Sequence, residues 1–186
     1  HADFLDTTGQ APMRRFAERL LATLGKTGAI IVYSAYERRI LDGLARAFPD
    51  LADPLRAVAD RLFDLLPLTR AHYYHPAMKG SWSIKAVLPT VAPDLDYGAL
   101  GEVQDGTSAQ AAYAEIIDPA TPAERRASLT DALLDYCRLD TLALVRLAWF
   151  SEEGGRNRTG NWATARSQVE YDFRYISVTL SGGENP

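Results

Sequence analysis

Apolar and polar residues follow two rhythms along this chain. "PMRRFAERLLATL", between Pro12 and Gly25, carries apolar residues at helical spacing and predicts a helix over 12–24. "GAIIVYS" is a short apolar run rich in β-branched residues and predicts a buried strand ending near Tyr33. "AYERRILDGLARAFPD" returns to the helical period and is stopped by Pro49. With a short extended "ADFLD" in front, the alternation of strand and helix predicts an α/β domain with a covered sheet.

The chain beyond Pro49 is mostly helical in pattern. "DPLRAVADRLFDLLPLTR" begins as a helix, and the last residues of its "LFDLLPL" suit another strand. "AHYYHPAMKG" reads as a loop rich in rings, and the serines of "SWSIKAVLPTVAP" suit a helix cap. "DGTSAQAAYAEIID" predicts a further helix. A long one follows from Thr121–Pro122 through "LLDYCRLDTLALVRLAWF". We place one domain at 1–152 and an extension at 153–186, with a strand within 168–180 and a frayed "SGGENP" end.

Two carboxylates disturb this pattern. Asp140 falls among the leucines of "LLDYCRLDTLALVRL", one turn beyond Tyr136. A carboxylate in an apolar stripe needs a partner, a proton or a cation. Asp140 therefore either caps a new helix after Leu139 or points with Tyr136 into a polar pocket. Glu37 stands where the strand "IIVYS" gives way to a helix. There it is either an ordinary first-turn acid favoured by the helix dipole or a ligand group at the sheet edge where open α/β folds bind.

Composition narrows the options. The 186 residues are 47% apolar and 24% charged, enough for a substantial core. The formal charge of −4 excludes a generic polyanion binder but not a nuclease, whose cation site needs carboxylates. The single Cys137 excludes an internal disulfide framework and reads as a small core residue, which suits a reducing, cytoplasmic setting. No apolar run reaches the length of a membrane span, so no membrane partner is expected, and no signal peptide is visible. "HADFLD" reads like the second half of a strand, which leads us to expect a fragment of a longer parent.

"YSAYERRIL" after a strand, followed at a distance by "YCRLD", resembles the second and third motifs of the DEDD 3′–5′ exonucleases of the tyrosine subclass, on the RNase H-like fold. In that resemblance Ser34, Tyr36 and Glu37 stand for an Asn-x-x-Phe-Asp pattern, and Tyr136 and Asp140 match Tyr-x-x-x-Asp. "YYHPAMKGSWSIKAVLP" and "LLDYCRLDTLALV" further resemble an uncharacterised bacterial domain family, over roughly Ala2 to Trp149, whose members often follow a RecB-like nuclease domain. The resemblance implies two-metal phosphodiester hydrolysis with Mg²⁺ or Mn²⁺ at the 3′ end of a single strand of DNA or RNA. Glu37 and Asp140 would ligate metal, Tyr136 would orient water, and a RecB-like domain in the same parent would be a partner.

The chain departs from the exonuclease pattern in three ways: Glu37 replaces Asp, Ser34 replaces Asn, and no Asp-x-Glu exists anywhere in it. That pair would lie upstream of His1 in a longer parent, and the chain alone is expected to be weakly active or inactive. Asp3 with Asp6, or Glu170 with Asp172, are weaker candidates for it. The competing expectation is a degenerate RNase H-like module that binds nucleic acid or a partner nuclease without cleaving.

The ring-rich loop admits three readings: local packing, a zinc site at His72 and His75, or a base-stacking platform. On the third reading Tyr73, Tyr74 and Trp82 stack bases while Lys79 and Lys85 meet phosphates. Arg38 either faces the phosphates or lies on a solvated helix face, like Arg39 beside it. Arg156, Arg158 and Arg166 make the extension locally basic, for nucleic acid or for solubility.

Overall fold

The computed structural model describes residues 2–157 and the backbone of 174–175, with side chains through Ser151. Among these residues, seven α-helices surround a three-stranded sheet: α1 Met13–Leu24, β1 Ile30–Val32, α2 Tyr36–Ala47, α3 Ala52–Ala59, β2 Leu62–Asp64, α4 Leu65–His72, α5 Ile84–Val91, α6 Gly106–Ile117, α7 Ala123–Asn157 and β3 Arg174–Tyr175. The strand order is β2-β1-β3, and both neighbours run parallel to β1, with Val32 opposite Asp64 and Ile31 opposite Tyr175.

β1 is central and buried throughout. Successive side chains of a strand point to opposite faces. Ile30 and Val32 accordingly enter one core with α1, α2 and α3, around Leu24, Leu41, Leu44 and Leu55. Ile31 enters another with Leu65, Met78, Val87 and Leu147. A third core, under α5, α6 and α7, gathers Leu88, Val103, Ile116, Leu129 and Leu133. Both faces of the sheet are thus covered by helices.

Most predicted elements recur within a residue or two of their expected ends. Ser83 caps α5 by accepting from the Ala86 N–H at 3.3 Å, and Asp105 and Ser108 close a capping box on α6. "LFDLLPL" differs from expectation: its first residues hold the strand and "LLPL" begins α4. Asp64 decides this, because its carboxylate caps α4 by accepting from the Leu66 N–H at 2.9 Å. β3 falls within the strand expected at 168–180, whose other residues lie outside the described ones.

α7 is one continuous helix through Asp140, so Asp140 does not cap a new one. The helix instead crosses between cores. Leu129, Leu133 and Tyr136 belong to the core under α6, whereas Leu147 belongs to the one against the sheet. Asp140 sits half-buried where the two meet. Among the described residues, no helix is long and apolar enough to cross a membrane.

Candidate functional site

β1 and β2 end side by side, and α2 and α4 start from that shared edge. Ser34, at the turn, holds φ at 128°, a backbone conformation that L side chains rarely adopt. Its N–H donates to Asp64 Oδ1 at 2.9 Å, the same oxygen that caps α4, and its hydroxyl accepts from the Tyr36 N–H at 3.2 Å. The strained turn thereby delivers Glu37 into the first turn of α2.

Glu37 is not an ordinary solvated first-turn acid. It shares a face with Leu41, Leu44 and Ala45, is only 7% exposed, and its Oε2 has no hydrogen-bond partner. An unmet buried carboxylate oxygen is costly. Burial, followed by the neighbouring charges of Asp64 and Asp140, pushes the Glu37 carboxyl up to about 7. The charges of Asp64 and of Asp140, the latter 103 positions along the sequence, thus both bear on Glu37.

Asp140 is engaged by tyrosines. The buried Tyr97 phenol donates to its Oδ1 at 2.5 Å. The Tyr136 phenol is raised above its ordinary range by burial, then by the charge and hydrogen bond of Asp140. Both phenols consequently stay protonated, as donors rather than bases. The rings of Tyr97 and Tyr136 lie 6.2 Å apart, and Lys85 Nζ stands 5.2 and 5.3 Å from their centroids. Lys85 also donates to the Gln104 carbonyl at 2.7 Å, so it serves the tyrosines where phosphate contact was expected.

The ring-rich loop is tied to the same edge. The Tyr33 hydroxyl donates to the Trp82 carbonyl at 2.7 Å, and the Trp82 indole N–H donates to the Tyr73 carbonyl at 3.2 Å. Tyr73 is drawn inward, against Phe150 and onto the Thr90 hydroxyl. Tyr74 stays 59% exposed with its ring 6.0 Å from Trp82, and the exposed Lys79 lies in a left-handed turn nearby in sequence. Arg38 donates to the Ala59 carbonyl at 2.6 Å, which binds α2 to α3.

Residues 1–83 match the family described as Domain of unknown function (DUF2779). The chain matches no curated protein and no solved structure. A match to an uncharacterised domain family thus covers residues 1–83, where a likeness over roughly Ala2 to Trp149 is expected. That span holds Glu37, Asp64, Tyr74, Lys79 and Trp82 but neither Tyr136 nor Asp140.

Other expected roles are redirected. His75 Nδ1 accepts from the Ala77 N–H at 3.2 Å, a local turn contact. Among the described residues, no group of three or more His, Cys, Asp or Glu side chains is arranged to hold a metal. Asp6 pairs with Arg15 at 2.5 Å. Glu170 and Asp172, with Arg156, Arg158 and Arg166, lie outside the residues whose side chains are described. Cys137 is half-buried against the core under α6, as expected.

Sequence reasoning missed Asp64 and Tyr97. Asp64 carried a legible signal, an Asp directly before an apolar helical run. Tyr97 carried none, since its link to Asp140 spans 43 residues.

Proposed function

We propose that the chain contributes part of a metal-dependent nuclease centre of the DEDD 3′–5′ exonuclease kind, within an RNase H-like domain. The observation that carries this reading is the buried Glu37 oxygen without a partner, beside the charge of Asp140. Two inward carboxylates with an unmet oxygen fit part of a site for Mg²⁺ or Mn²⁺, which accept a few carboxylates and complete their shell with water. Glu37 and Asp140 hold the cation, which when bound supplies charge for activating water and steadying the leaving oxygen. Tyr136, kept protonated with its O–H directed at Asp140, orients water by accepting from it. Tyr74 and Trp82 receive unstacked bases of a single strand beside the sheet edge, and Lys79 meets its phosphates. Lys85 supports the tyrosines, and Arg38 supports α2.

Mn²⁺ titration of the purified chain tests the reading. Binding that is weakened in both Glu37→Gln and Asp140→Asn, with folding retained, supports it. A chain that binds no Mn²⁺, or binds it equally in both variants, overturns it. Cleavage is the second measurement. A 5′-labelled single-stranded oligonucleotide is shortened slowly or not at all by this chain, which has no Asp-x-Glu, and more quickly by a longer parent that carries that strand.

The second reading is a degenerate module that binds nucleic acid, or a RecB-like nuclease domain of the same parent, without cleaving. It is favoured by the tyrosine hydroxyls that already engage the Asp140 carboxylate. Oligonucleotide binding that is indifferent to Mn²⁺ and weakened by Tyr74→Ala supports this second reading.

A further inference from the structure

Tyr97 lies in a short 3₁₀ turn, Tyr97–Ala99, and reaches across to α7. Tyr97 is 7% exposed, and the 2.5 Å bond from its phenol to Asp140 Oδ1 is in the range of hydrogen bonds strengthened by charge. We propose that Tyr97 is a positioning residue for Asp140, fixing the carboxylate in the orientation that receives a divalent cation. The inference rests on the cation reading given above.

The segment that leads into Tyr97 is held in place. Asp94 forms an ion pair with Arg146, on the same helix as Asp140. Leu95 packs against the core under α6, and Asp96 accepts from the Gly98 N–H at 2.7 Å. Lys85 Nζ sits over the Tyr97 ring while tethered to Gln104. The hydroxyl therefore comes from a ring with little freedom, aimed at one oxygen of one carboxylate.

A half-buried carboxylate on a helix has rotational freedom about its side-chain bonds, which for Asp140 the Tyr97 and Tyr136 hydroxyls together limit. An external donor that selects one orientation removes that freedom before the cation arrives. Hydrogen-bonded supports of metal ligands commonly change metal affinity by about 10–100-fold when removed. The packing role of the ring is separable, because phenylalanine fills the same space without the hydroxyl.

Mn²⁺ affinity, measured by calorimetry on the full chain at pH 7.5, tests the role in wild type, Tyr97→Phe, Asp140→Asn and the double variant. The expected result is a folded Tyr97→Phe whose affinity is about tenfold weaker, with no further loss when it is added to Asp140→Asn. Wild-type affinity in Tyr97→Phe, or an equal loss in the Asp140→Asn background, overturns the positioning role alone. A wild type that binds no Mn²⁺ overturns the cation reading and this role with it. If Tyr97→Phe does not fold, Asp94→Ala decides, because it frees the same segment and leaves the phenol in place. Weaker Mn²⁺ binding then sustains the proposal, and unchanged affinity overturns it.

Discussion

The backbone N–H of Ser34 donates to the carboxylate of Asp64 at 2.9 Å, joining the ends of two parallel strands through a side chain. The same oxygen accepts from Leu66, so one atom closes the turn after β1 and starts the helix after β2. The strained Ser34 backbone persists because this acceptor holds it. The position of Glu37, three residues on, follows from that hold.

Removing the acceptor should loosen both turns. Asp64→Ala is expected to cost about 2 kcal/mol, since it forfeits a helix cap and leaves two partly buried N–H groups unmet. Asp64→Asn keeps an acceptor oxygen and should lose less than half as much. Urea unfolding of the three proteins measures the difference. Equal stability of wild type and Asp64→Ala would refute the hold.

Ser34 itself can be tested by a pair of variants. Ser34→Gly and Ser34→Ala both lose the hydroxyl contact to Tyr36, yet only glycine adopts φ of 128° without strain. The glycine variant is expected to be more stable than the alanine variant by about 1 kcal/mol. The comparison cancels the lost contact and isolates the backbone. Alanine matching glycine would mean that the turn relaxes.

The elements that the sequence predicted well are those whose cause is local. α2 shows its apolar stripe and its proline stop within sixteen residues, and β1 is a run of β-branched residues between glycine and serine. Asp140 was legible as an anomaly for the same reason, but its partner was not. Tyr97 reaches it only because the segment before α6 packs against α7, and no spacing rule encodes that. Glu37 is intermediate. The spacing from Glu37 to Leu41, Leu44 and Ala45 puts it on the buried stripe, yet its place in a first helical turn made a dipole-favoured acid the readier reading. "LLPL" misled because a short apolar run fits strand or helix, and the Asp64 cap decides between them.

Glu37 should make stability depend on pH. Its carboxyl is pushed from an ordinary 4.5 to about 7 by burial and by the charges of Asp64 and Asp140. Between those values the folded chain retains a proton that the unfolded chain has released. Stability therefore falls as pH rises through that window, by about 3 kcal/mol at about 1.4 kcal/mol per pK unit. Glu37→Gln should remove this slope and be the more stable protein at pH 7.5. Mn²⁺ should restore wild type at pH 7.5 and leave Glu37→Gln unchanged. Unfolding at pH 4.5 and 7.5 measures it, and a wild type with no such slope would place Glu37 in water.

Arg61 supplies the last prediction. Its guanidinium donates to the carbonyls of Gly28 at 2.7 Å, Gly25 at 2.8 Å, Thr27 at 2.5 Å and Leu24 at 3.2 Å, while its own carbonyl accepts from the Ile30 N–H. One planar fork thus gathers the turn that leaves α1 and enters β1, where glycines at positive φ reverse the chain. A single ammonium cannot span four carbonyls that face a fork from different sides. Arg61→Ala is expected to cost about 3 kcal/mol, and Arg61→Lys should recover under half of it. Because this turn sets where β1 begins, hydrogen exchange at Ile30–Val32 should accelerate in both variants more than in α6. Uniform acceleration across the chain would instead make Arg61 a general contributor to stability with no local hold on the strand.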